Sequence, residues 1–150
     1  MRPSLLLVAL ALVATTGCRA HPCGDRSADL PKALEGLPLL AEGGRVCDAE
    51  PAREEATIRY WGGKDRLAEV AVQLIAKMDD EGWAQYEVTG EYAPRKDPEH
   101  PVLIFRKGSE EIGVRLSVDQ TPRLGAKLPA DSVVVHVSHR TLTEKEQHRR

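Results

Sequence analysis

Between residues 65 and 81 the apolar residues Leu67, Val70, Ala71, Leu74, Ile75 and Met78 recur at helical spacing and form one stripe, with Arg66, Glu69, Gln73 and Lys77 on the other side. Asp65 is placed to cap the start of this helix. Gly82 is placed just past its end, where a left-handed turn would fold Trp83 back onto Met78. A striped helix must bury its apolar side against another layer, and the rest of the chain offers strands. Residues 56–61 alternate Ala, Ile and Tyr with Thr, Arg and Trp, and residues 110–118 alternate Ile112, Val114, Leu116 and Val118 with Glu111, Gly113, Arg115 and Ser117. Residues 102–107 precede a Gly108-Ser109 hairpin signal, residues 132–138 are valine-rich, and residues 83–92 read as a weaker strand. The expected fold is therefore α+β: a two-layer sandwich, with one amphipathic helix on a mostly antiparallel sheet of four to five strands. Leu34, Leu37, Leu39 and Leu40, after Asp29 and Pro31, suggest one further short helix within residues 30–40. Residues 48–55, 93–101 and 121–131 read as loops.

Composition excludes several classes. The chain has 150 residues, 21 basic and 23 acidic, with a net charge of -2 and 4% aromatic residues. There is no basic excess for nucleic acid and there are few rings for stacking bases or sugars, so no nucleic-acid partner is expected.

The first residues are an address. Arg2 precedes the apolar run from Leu5 to Ala14. As a helix this run rises about 15 Å, half the hydrocarbon thickness of a bilayer, so it suits an export signal and not a membrane span. Thr15, Thr16, Gly17, Cys18 and Arg19 follow. Small residues before a cysteine at this place resemble the lipobox of bacterial lipoproteins, although Thr15 stands where Leu is usual. The resemblance implies a signal peptide over residues 1–17, cleavage before Cys18, and lipidation of Cys18. By the sorting rules of such proteins, Arg19 in place of Asp implies the outer membrane, facing the periplasm. The other reading is plain secretion with Cys18 an ordinary thiol. Residues 18–29, polar with Gly and Pro, then read as a tether, residues 30–140 as the folded domain, and residues 141–150 as a polar tail that frays.

Once Cys18 carries the lipid, the remaining cysteines, Cys23 and Cys47, form a pair suited to a disulfide in an oxidising compartment. Closing a loop of about 25 residues contributes roughly 3.5 kcal/mol in the chain-entropy model. Two free thiols, or a metal site including His21, remain as alternatives; the metal reading lacks a fourth ligand.

Leu37-Pro38-Leu39, Ile58-Arg59-Tyr60, the helix ending at Gly82-Trp83, Leu103 to Gly108 and Val114-Arg115-Leu116 together resemble a module of exported bacterial lipoproteins of uncharacterised function. At the level of layout, the chain is also similar to accessory lipoproteins of outer-membrane barrel assembly. These resemblances imply a fold and a location and carry over no catalytic residues.

Catalytic and metal motifs are weak. Gly62-Gly63-Lys64-Asp65 lacks the first glycine and the Ser or Thr of a P-loop, and reads as a strand-to-helix turn. His136 and His139 are three apart, which on a strand means opposite faces. Asp97, Glu99 and His100 read as a charged loop, and Glu110-Glu111 as solubilising charge. No catalytic residue, cofactor or metal is expected. The alternation does define a surface. With Leu103, Phe105, Val133, Val135 and Val137 toward the helix, Val102, Ile104, Val134 and His136 face away. Val102, Ile104 and Val134, rimmed by Arg59, Arg115 and His136, are the expected interface, unless the leucine segment of residues 30–40 folds over them. The function these features imply is a membrane-anchored, non-catalytic binding or scaffolding role with another envelope protein as partner. The alternatives are a small-molecule or envelope-polymer binding module and, more remotely, an enzyme of unknown type.

Overall fold

The apolar stripe forms its helix: α1 spans Lys64–Asp80 and buries Leu67, Val70, Leu74 and Met78. Its N-cap is Gly63, so Asp65 lies inside the first turn, where its charge suits the positive end of the helix, and is not the cap. The C-terminus closes as the sequence indicates. Gly82 has φ +80°, and the amides of Gly82 and Trp83 donate to the carbonyls of Asp79 and Met78 at 2.8 and 2.9 Å. This is a Schellman motif, and it places Trp83 in the core beside Met78.

The computed structural model describes residues 21–86, 100–119 and 131–148. Its sheet has six strands in the order β1-β2-β6-β5-β4-β3, all adjacent pairs antiparallel. The strands are β1 (Arg45–Glu50), β2 (Glu55–Trp61), β3 (Ala84–Gln85), β4 (Val102–Lys107), β5 (Glu110–Asp119) and β6 (Ser132–Thr141). The sheet thus exceeds the expected four to five strands by the edge strand β1. Within β1, Val46 pairs with Ile58 and Asp48 with Thr57, which leaves Cys47 as the extra residue of a bulge. The bulge breaks the alternation, and the charged Arg45, Asp48 and Glu50 make the segment read as a loop. At the opposite edge, only Ala84–Gln85 of the weak strand expected at residues 83–92 is β, and residues 87–92 lie outside the described residues.

α1 leaves β2 near one edge and delivers the chain to β3 at the other. Its 17 residues rise about 25 Å, enough to cross four strand spacings of about 4.8 Å each. One helix therefore covers one side of the sheet. Beneath it, Ile58, Tyr60, Leu103, Phe105, Ile112, Val114, Leu116, Val133, Val135 and Val137 form the core. Among the described residues no helix is long and apolar enough to cross a membrane.

The leucine segment completes the same side. The expected helix is reduced to a 3-10 turn over Lys32–Leu34, because Glu35 is extended, Gly36 has φ +77° and Pro38 follows. Leu34 and Leu39 enter the main core, the Tyr60 hydroxyl donates to Leu39 O at 3.3 Å and accepts from Ala41 N at 3.1 Å, and Lys77 Nζ donates to Leu40 O. Gly44 is required here, since a Cβ would run into the Tyr60 ring. The segment is thus a strap beside α1 and does not cover the opposite sheet face.

Residues 23–28 and 141–148 make more tertiary contacts than their composition suggests. Cys23 and Cys47 are joined by a disulfide, Ala28 N donates to Val46 O, and Arg45 donates to Gly24 O, so residues 23–28 are tied to β1. Residues 141–148, expected to fray, bury Leu142 and form a short helix α2 (Glu144–Gln147) closed by a capping box between Thr143 and Glu146.

Candidate functional site

The sheet face away from α1 is organised by register. Directly opposed residues line up in rows that cross the strands. One row reads Asp48, Thr57, His136, Arg115 and Val102. The next reads Glu50, Glu55, Ser138, Gly113 and Ile104. The third holds Arg140, Glu111 and Arg106. Gly113 and Ser138 have the smallest side chains of these, so the face dips along the middle row. The result is a groove of about 810 Å³, lined by residues of all three rows. A Cβ on Gly113 would come within 3.0 Å of Ser138 Oγ, which marks how closely the floor is fitted.

One wall of the groove is a clamp. Glu111 is 6% exposed, and its two carboxylate oxygens accept from Arg106 Nε at 2.7 Å and Arg140 Nε at 2.6 Å. Burial opposes its ionisation, but the hydrogen bonds and charges of Arg140 and Arg106 outweigh it and hold the carboxyl below the usual range. Arg140 also reaches Glu146 of α2 at 3.3 Å, which links the C-terminal turn to the groove. The Arg106 guanidinium stacks on the Tyr86 ring, 3.5 Å from its centroid. The expectation that Glu110-Glu111 is solubilising charge is therefore corrected for Glu111. Its partners come from two other strands, and only the register reveals them.

The other wall carries Arg115 and His136 as direct neighbours. His136 Nδ1 is 3.1 Å from Thr57 Oγ1. Burial first, then the charges of Arg115 and Arg59, push the His136 pKa below its ordinary value, against the opposing pull of Glu55. Arg115 is exposed and makes no hydrogen bond or ion pair among the described residues.

The six residues of the expected interface all lie on this face, but not all are accessible. Val102 is 40% exposed and Ile104 is half-buried, whereas Val134 is only 4% exposed. The cause is Arg59. It sits opposite Val134 on β2 and reaches across β6 to Asp119 on β5 at 2.8 Å, touching Ser132 at 3.3 Å. Its stem thus crosses β6 beside Val134. The apolar patch shrinks to Val102 and Ile104 at one end of a polar groove.

The histidines separate as the spacing requires. His139 lies on the helix side of β6 and bonds Glu54 at 2.7 Å, while His136 faces the groove. His21, Cys23 and Cys47 bring donor atoms within 4.8 Å of one another, yet the two sulfurs are bonded to each other, which leaves no thiolate to coordinate an ion. Cys18, Asp97 and Glu99 lie outside the described residues. No protein-family model, curated protein or solved structure matches this chain.

Proposed function

We propose that this chain is an exported envelope protein, lipid-anchored through Cys18, with a non-catalytic binding role performed by the open face of its sheet. The anchoring half of the reading rests on the apolar run from Leu5 to Ala14 and the small residues before Cys18. The binding half rests on one observation. α1 and the leucine strap take one side of the sheet, and the other side bears the groove of about 810 Å³ between the Glu111 clamp and the Arg115–His136 pair. That volume falls in the range of ligand sites.

The groove also favours one occupant over another. A flat protein interface would want a contiguous apolar centre, and Val134 is withdrawn from it. A groove with convergent polar side chains suits a small ligand or a polymer segment, so the module is read as a ligand binder before a protein scaffold. The test is Ile104→Glu, which places a charge at the groove end. It should abolish retention of the ligand from envelope extracts while the thermal midpoint stays nearly unchanged. Unfolding of this variant would mean that the face is covered core and would contradict the proposal.

A further inference from the structure

The charges on the open face nearly cancel by internal pairing, and what remains specifies a ligand. Arg59 is paired with Asp119, Glu111 with Arg106 and Arg140, and Glu50 with Arg53 at 3.3 Å. Among the described residues the Asp48 carboxylate accepts only from its neighbouring amide, Ala49 N, at 2.9 Å, and keeps its charge at the β1 edge of the groove. Two groove-lining charges are left without a hydrogen bond or ion pair among the described residues: the Arg115 guanidinium and the Glu55 carboxylate. They do not meet each other. Arg115 lies in the row of Thr57 and His136, whereas Glu55 lies in the next row, two residues along β2 and two strands away. Strand spacing and rise put their Cα atoms about 12 Å apart.

We propose that the groove binds a short zwitterionic peptide, with its carboxylate on Arg115 and its ammonium on Glu55; this rests on the reading of the open face as a ligand site. An arginine fork is the side chain best matched to a carboxylate. Glu55 supplies the complementary acceptor for an ammonium, and the Gly113–Ser138 floor between them gives a backbone room to lie. Three extended residues span about 10 Å, which fits the separation of the two charges. Val102 and Ile104, beyond Arg115, offer an apolar shelf for a side chain at the carboxylate end.

The test is a chemical-shift titration of the mature protein with trialanine, trialanine amide and N-acetyl-trialanine. Trialanine should bind with shifts centred on Gly113 and Ser138, and removal of either terminal charge should weaken it by about tenfold, the effect expected of one charge-assisted hydrogen-bonded contact. Arg115→Gln should make the acid and the amide bind equally. Glu55→Gln should do the same for the free and acetylated amines. Each variant thus reports on one end only, a pattern that mere loss of fold would not produce. No trialanine binding, or variants that leave the discrimination intact, overturns the zwitterion assignment. If trialanine fails but Ile104→Glu still abolishes ligand retention, the binding-face reading stands and only the ligand class is wrong.

Discussion

Arg115 on β5 and Glu55 on β2 stand on the same open face, on either side of β6, and neither is paired with a described residue. Their neighbours are tied down: Arg59 to Asp119, Glu111 to two arginines, Glu50 to Arg53. A sheet face used only as a solvated surface has no need of a fitted floor or a buried clamp beside it. The pair gives the groove a polarity, positive toward β5 and negative toward β2.

The Glu111 clamp makes a pH prediction. Against its burial, the hydrogen bonds and charges of Arg140 and Arg106 hold its native pKa below the ordinary carboxylate value, so the ionised form stabilises the fold above the unfolded value. That contribution is lost as pH falls from about 4.5 through the lowered native value. Glu111→Gln should cost about 2 kcal/mol at neutral pH, less than a fully buried pair because Arg140 is more than half exposed. The gap between wild type and variant should close on acidification. Urea unfolding across pH 7 to 3 checks this; a gap that is constant with pH would remove the clamp's electrostatic role.

The disulfide should act through the unfolded chain. Cys23→Ser combined with Cys47→Ser should lower stability by roughly 3.5 kcal/mol, the value for closing a loop of this size. Denaturant midpoints of the oxidised and doubly substituted proteins measure it. Alkylation of both cysteines without reductant would show that no bond forms.

Leu74 is fully buried on the central turn of α1. Leu74→Ala should destabilise by about 2–5 kcal/mol through lost transfer energy and a residual cavity. A change under about 0.5 kcal/mol, the range of surface substitutions, would mean that the helix does not pack as described.

Cys18→Ser should move the protein from the membrane pellet to the soluble or unprocessed fraction, because the acyl chains supply the anchor. Wild type found soluble after export would contradict lipidation.

What was legible in the sequence was local. The α1 stripe, the Gly82-Trp83 ending and the Gly108-Ser109 hairpin depend on residues within a few positions of one another, and they appear where their patterns place them. Alternation also assigned Val102, Ile104, Val134 and His136 to one face. It could not reveal that Arg59 reaches across β6 to Asp119, nor that Glu111 sits between Arg106 and Arg140. Both facts depend on register between strands distant in sequence. β1 escaped for a related reason: its bulge at Cys47 hides the period of two, and its charged edge reads as loop. Of the leucines of residues 30–40, Leu34 and Leu39 are buried as their apolar character signals, whereas Leu37 is half-buried and Leu40 is exposed, and Gly36 and Pro38 turn the helical reading into a strap.

The most direct test of the binding face is photocrosslinking in the native envelope, with a photoreactive residue at position 104 in the groove or at position 68 on the exposed side of α1. Intact-mass analysis should find adducts at 104, competed by excess unlabelled protein, and none at 68. Adducts at 68 with none at 104 would contradict the claim that the open sheet face is the working surface.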